Sequence, residues 1–385
     1  MKNFTNNSKD IINVVEEYNY DTQGEIYNLN FKRWRKNKQN PYAFNFEVNK
    51  KESVYIESKG FKAPNLEDAE AETLGKIARI IGIAMLIWIS IDTVISQLGI
   101  QLFDYLGFNI FSTFFDAPLS GGSKEIVIAL IITSFLKTII PAIYLKKELR
   151  LPSDSRVMHT MIHPGDLVRS ICLCLAVSTV VSLPNIYSDS TVQLFSYFSK
   201  LDADVSAWGQ TEFVVYTVYD IIIMSIFSEL LFRGAIFTAL RQFGDRFAIG
   251  VTAVISGLLV QDFTEMPAVI LISLVAGAGM VRSGSVYTAI FVQMIYKIYR
   301  LTLVIIETTL KRDVFLERNM FMLAVFVLSV VIIISMSLLR ERIEYYSEYE
   351  SEVPSYKRAF FLIKAYPLPV VAFICILAAT LKAVF

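Results

Sequence analysis

Long apolar runs separated by short charged connections occupy the chain from residue 77 onward, at 77–98, 126–145, 167–187, 212–232, 247–263, 268–281, 286–306, 320–339 and 366–385. An α-helix needs about 20 apolar residues to cross the hydrocarbon layer of a bilayer. The pattern therefore predicts an all-α, polytopic integral membrane helix bundle of about eight or nine transmembrane helices, the two central runs being the shortest. Residues 1–76 break the pattern: they are polar, rich in Asn, Lys and Glu, and show no sustained hydrophobic period. They lack the apolar core of a signal peptide and are expected to stay on the mature chain. The acidic run 67–72 is suited to open a helix that continues into the membrane, since acids are favoured near a helix start.

Charge in the connections orients this bundle. Lys146, Lys147, Arg150 and Arg156 crowd one loop and Arg233, Arg241 and Arg246 another, while Asp104 and Asp116, then Asp189, Asp202 and Asp204, mark the alternate loops. The positive-inside rule places the N-terminus in the cytoplasm of a multi-pass cell-membrane protein. The resulting plan is a polar N-terminal cytoplasmic segment at 1–76, a helical bundle at 77–339, a charged cytoplasmic loop at 340–365 with Arg340, Arg342, Lys357 and Arg358, and a last span at 366–385. The basic, aromatic run from Phe31 to Lys38 could touch anionic lipid headgroups, although such runs are commonly just solvated.

Composition adds exclusions. Lys plus Arg and Asp plus Glu are balanced at 36 each, so net charge gives no support to nucleic-acid binding. Cys172, Cys174 and Cys375 lie in apolar runs without zinc or disulfide spacing, and read as packing residues. There is no internal repeat and no matched pair of Gly/Pro-broken helices, which weighs against a transporter.

Candidate chemistry begins at Phe227-Ser228-Glu229-Leu230-Leu231-Phe232-Arg233-Gly234, which sets an acid and a base in apolar sequence. Glu229 and Arg233 are four apart, on one helix face, with the acid first, the favourable order for a pair. An ionised group inside a membrane span costs about 2.5–3.5 kcal/mol even on lenient scales and is by default a functional candidate. Here the chain resembles the first motif, Glu-Glu-x-x-x-Arg, of the CPBP family of type II CAAX prenyl endopeptidases and bacteriocin-processing intramembrane metalloproteases. Ser228 replaces the first Glu; Glu229, Arg233 and Gly234 match.

The family's second motif, Phe-x-x-x-His, would fall on Ser256-Gly257-Leu258-Leu259-Val260, and its third, His-x-x-x-Asn, on Gln293-Met294-Ile295-Tyr296-Lys297. The Gly-Leu-Leu centre of the second is kept, but its defining residues are absent, as are those of the third. The resemblance covers roughly residues 212–300 and implies a site in which the first Glu activates water and the His and Asn residues hold the water or a metal. A serine at 228 is not the same general base. Val260 offers zinc no ligand atom and Gln293 only a weak one. The resemblance thus implies a catalytically degenerate site with no cofactor, zinc being expected only if the two later motifs lie elsewhere.

Other arrangements remain open on the residues alone. Ser228 and Lys297 could form a Ser–Lys dyad, against the reading that Lys297 stays charged and pairs with Glu229, Asp220 or Asp262. Asp220, nine residues before Glu229, projects from nearly the opposite helix face at about 100° per residue and is expected in a separate interhelical contact. Asp262 and Glu265 read as the outer end of a short span. His159 and His163 have the spacing of an H-E-x-x-H metal helix, but Thr160 stands where that motif has its Glu. Pro164 fits the first turn of a following helix.

Three functions are therefore expected to compete. The first is a CPBP-like pseudoenzyme that binds or regulates a membrane protein, a peptide or a lipidated chain within membrane lipid. The second is an active CAAX-type intramembrane peptidase using Glu229, and the third a transporter using Glu229, Lys297 and Asp220.

Overall fold

The computed structural model describes residues 33–34, 54–56, 60–62, 66–111, 120–151, 164–182, 209–309, 314–339 and 353–384. Strands β1 (Val54–Ile56) and β2 (Gly60–Lys62) form a short antiparallel hairpin. Helix α1 begins at Leu66–Ser90, passes through a wide π turn at Ile91–Ile95 and ends with Ser96–Tyr105. A second small hairpin, β3 (Ile110–Phe111) with β4 (Ser120–Gly121), leads to α2 (Ser123–Glu148). Helix α3 (Pro164–Ser182) starts with Pro164, where the missing N–H is not needed. The remaining helices are α4, described below, α5 (Asp245–Leu258), α6 (Met266–Ser283), α7 (Val286–Thr309), α8 (Val314–Leu339), α9 (Ser355–Lys364) and α10 (Leu368–Val384).

Among the described residues seven helices are long and apolar enough to cross a membrane: α1, α2, α3, Gln210–Phe243, α6, α7 and α8. The pair α9–α10, bent by 84°, makes an eighth if counted as one span. This is a multi-pass helix bundle, at the lower end of the expected number of spans. The difference lies at 247–263. That run folds as α5, only 14 residues and so about 21 Å long; it stops at a turn in which Gln261 has φ +56°.

The structure adds detail at the ends of the chain. Within 1–76, the Trp34 ring is buried in the main core beside Leu145, Leu149 and Leu151, and its Nε1–H donates to the Leu149 carbonyl at 2.9 Å. The segment 340–365 is not all loop, because α9 occupies most of its second half.

The core forms where α1 packs on α2, α5 on α6, and α6 on α3 and α7, while α8 lies mainly against α3. Leu231, Phe232, Ile236, Ile272 and Val292 are central members of one continuous cluster. Hydrophobic burial does little between helices in lipid, so close backbone approach and van der Waals packing carry the association. At Gly257 an added Cβ would stand 2.3 Å from Ile270 Cγ1, so the α5–α6 contact is built around its missing side chain. Gly244, at φ +111°, makes the sharp joint between α4 and α5, which the Arg241–Asp245 ion pair closes at 2.8 Å.

Alternating chain direction brings Lys146, Lys147, Arg241, Arg246, Arg282 and α9 to one end of the bundle. Two contacts fasten that end. Arg282 at the foot of α6 reaches Asp166 at the head of α3 over 3.0 Å, and Arg358 of α9 donates to the Phe243 carbonyl at the end of α4.

Candidate functional site

Helix α4 runs from Gln210 to Phe243 and twice leaves α-helical winding, through π turns at Tyr219–Met224 and Leu230–Phe237, before a 3₁₀ turn at Arg241–Phe243. Such wide turns are rare and recur at functional sites. Asp220 lies in the first, Arg233 in the second, and Asp92 in the π turn of α1. Each wide turn thus carries one member of an ion pair inside the bundle, buried at Asp92 and Arg233 and partly buried at Asp220.

The pair at the motif is Glu229 with Arg233, Oε2 to Nε 3.2 Å, both fully or almost fully buried. Arg233 Nη2 donates to the Ser273 carbonyl at 2.5 Å and to its hydroxyl oxygen at 2.8 Å. Ser256 Oγ lies 2.9 Å from Ser273 Oγ. The arginine therefore connects α4, α5 and α6, and the serine at the start of the second motif position becomes part of its support. Gln293 lies beside the Glu229 carboxylate, which also feels the charge of Lys297.

Neither carboxylate oxygen is in a well-formed hydrogen bond, and Ser225 Oγ, Arg233 Nη1 and Gln293 Oε1 are likewise without a partner. Buried polar atoms in this condition are costly unless something else meets them. Ser225 stands one turn before Glu229, so these groups surround the same stretch of α4.

Further along the seam, Lys297 Nζ donates at 2.8 Å to both Asp220 Oδ1 and the Asp220 carbonyl. Arg300 makes a two-pronged contact with Glu265, at 2.7 and 2.9 Å. Gln293, Lys297 and Arg300 are at i, i+4 and i+7, one stripe on α7. It faces Glu229, Asp220 and Glu265 in turn. Asp220 was expected to point away from Glu229, yet both address α7; the intervening π turn advances the chain with less rotation per residue and shifts the helix phase. Beyond this stripe, Lys137 of α2 bonds Asp92 at 2.7 Å with its ammonium 4.7 Å from the Trp88 ring centre. The Lys137 charge is close enough to feel Asp220 and Lys297.

Of the predicted positions, Glu229, Arg233, Gln293 and Ser256 are brought into one network. Lys297 stands one turn further along the stripe, bonded to Asp220. Ser228 is buried with its hydroxyl donating to the Ser225 carbonyl at 3.2 Å, not poised for a dyad. Val260 lies in the turn after α5, partly buried. His159 and His163 lie outside the described residues. Cys174 packs against the Val292 carbonyl, Sγ to O 3.5 Å.

Sequence reasoning missed Ser273, which carries no pattern of its own. It also missed Lys137 and Asp92, although Lys137 is the one charge in its apolar run, Asp92 shares its run only with Arg79 near the start, and their opposite signs in neighbouring spans were a usable signal.

These residues do not fit zinc. Among the described residues no group of three or more His, Cys, Asp or Glu side chains converges, and the motif positions supply one carboxylate, one carboxamide and a valine, short of a four-coordinate set of strong ligands.

The fold and site are those of a multi-pass membrane protein with an intramembrane acid–base pair. Residues 210–299, from α4 into α7, match the family model described as type II CAAX prenyl endopeptidase Rce1-like, consistent with the CPBP family. No match was found among curated proteins or among solved structures.

Proposed function

We propose that this is a non-hydrolytic, CAAX-protease-like protein of the cell membrane that binds and regulates a membrane-embedded partner: a membrane protein, a peptide or a lipidated chain. The observation that supports this reading most is the Glu229–Arg233–Ser273–Ser256 connection. Glu229, Arg233 and Ser256 are engaged in bracing three helices, while of the positions that would activate or hold the water in the family Ser228 bonds its own helix, Val260 offers no ligand atom and Lys297 is bonded to Asp220. What remains unmet at the site is polar capacity of both kinds: the Glu229 and Gln293 oxygens as acceptors, Arg233 Nη1 as a donor and Ser225 Oγ as either. A partner backbone, which carries both N–H and C=O groups, would satisfy it. On this reading the basic end of the bundle faces the cytoplasm, along with the N-terminal segment.

The test compares membranes holding the wild type with membranes holding Glu229→Gln at matched abundance, by mapping new protein N-termini and by co-purification after gentle solubilisation. The expected result is no wild-type-dependent cleavage and a stoichiometric partner whose recovery falls with the variant. Cleavage products present only with wild type would reject the binding reading in favour of an active peptidase.

A further inference from the structure

Helix α9 has three distinct sides. Arg358 and Leu362 are buried against the bundle, with the Arg358 guanidinium 5.0 Å from the centre of the Phe247 ring. Tyr356, Phe360 and Ile363, at i, i+4 and i+7, point the other way with 71, 51 and 66% of their surfaces exposed, and Tyr366 just beyond extends the stripe at 68%. Lys364 closes the last turn with its ammonium 4.2 Å from the centre of the Phe360 ring. The helix contains Lys357, Arg358 and Lys364 and no acidic residue.

A row of large apolar side chains this exposed is unfavourable in water. The 84° bend between α9 and α10 turns this stripe out of the direction of α10, so the two helices do not form one straight span. With α10 crossing the bilayer, α9 lies almost in its plane, at the end of the bundle that also exposes Lys146, Lys147 and Arg246. Tyrosine rings are suited to the boundary between headgroups and acyl chains, and lysine stems can run along that boundary while their ammonium groups reach the phosphates.

We propose that α9 is an in-plane interfacial helix whose Tyr356–Phe360–Ile363–Tyr366 face inserts below the phospholipid headgroups of the adjoining leaflet, with Lys364 directed to headgroup phosphates. Its opposite side grips the last carbonyl of α4 through Arg358, so the headgroup layer is mechanically joined to the helix bearing Glu229 and Arg233. This placement is independent of whether the protein binds or cleaves.

The test uses the full-length protein in phospholipid nanodiscs with a bimane label at Tyr356→Cys or Ile363→Cys, two exposed positions at which substitution leaves the buried side of α9 intact. Quenchers are a nitroxide on the lipid headgroup, a nitroxide deep in the acyl chain, and aqueous iodide. The expected result at both positions is severalfold stronger quenching by the headgroup nitroxide than by either other quencher. Strong iodide quenching would overturn the proposal by placing the face in water. Protection from all three quenchers would overturn it by showing the face covered by protein, such as a second copy. Phosphatidylcholine and phosphatidylglycerol discs separate the recognised chemistry. Equal headgroup quenching in both assigns the phosphate, and quenching restricted to phosphatidylglycerol assigns the net negative charge; either supports insertion.

Discussion

Lys297 holds Asp220 twice, by carboxylate and by backbone carbonyl, each at 2.8 Å. A π turn alters the local backbone hydrogen-bond pattern, and here the ammonium of a neighbouring helix takes up a carbonyl at its start while neutralising the acid beside it. The wide turn and the ion pair support one another, which places a stability determinant one turn along α7 from Gln293 and Glu229.

Breaking this arrangement from one side leaves the partly buried Asp220 carboxylate uncompensated. Lys297→Met should destabilise the protein by about 1–3 kcal/mol, less than for a fully buried pair, whereas the double change Lys297→Met with Asp220→Leu should recover much of that loss. Thermal unfolding of the purified protein in detergent reads both, and equal losses in single and double variants would show that the pair contributes through packing alone.

Ser273 is the second support of the motif. Ser273→Ala removes the hydroxyl that accepts from Arg233 and meets Ser256, and should cost about 1–3 kcal/mol. Since Ser256→Ala disrupts the same connection, the two losses should combine to less than their sum. Strictly additive midpoint shifts in a double-mutant cycle would contradict the network.

Ahead of α1, the described part of the N-terminal segment meets the bundle at the Trp34 indole. Trp34→Phe keeps most of the ring in the core but removes the Nε1–H donated to Leu149, so a loss of about 1 kcal/mol is expected. Trp34→Ala should cost about 3–5 kcal/mol by leaving a cavity. If limited proteolysis after residue 34 proceeds at the same rate in wild type and Trp34→Ala, this anchor does not hold the segment.

Much of the fold was legible because lipid imposes a simple length and polarity rule, and α2, α4, α7 and α8 sit close to the runs that predicted them. The Glu229–Arg233 pair was legible for the same reason: four-residue spacing and opposite charge are local properties. Asp220 was among the three acids offered to Lys297, but that it faces the same helix as Glu229 was not legible, because a π turn leaves no regular trace in a sequence read at 100° per residue. Ser273 was hidden because any serine in a span can bond its own helix, and only the fold shows that this one faces Arg233. The short length of α5 escaped because an apolar run does not reveal where its backbone turns; Gln261 adopts a positive φ without being glycine.

The retained Gly-Leu-Leu centre at 257–259 is the part of the second motif whose role the structure makes physical. A Cβ on Gly257 would meet Ile270 Cγ1 at 2.3 Å and Cδ1 at 3.0 Å, with the Met266 carbonyl at 3.3 Å behind them. The close atom is Cγ1 of a β-branched side chain, stiff at χ1, so even one methyl group requires α5 and α6 to shift, and the Met266 carbonyl limits how far. Gly257→Ala should therefore cost about 1–3 kcal/mol through overpacking, and Gly257→Leu should force α5 from α6 and abolish folding. Shortening the opposing residue tests the cause: Ile270→Ala combined with Gly257→Ala should be more stable than Ile270→Ala alone, because the added methyl fills the space it vacates. A double variant no more stable than Ile270→Ala would mean that Gly257 is required for its backbone and not for this close approach.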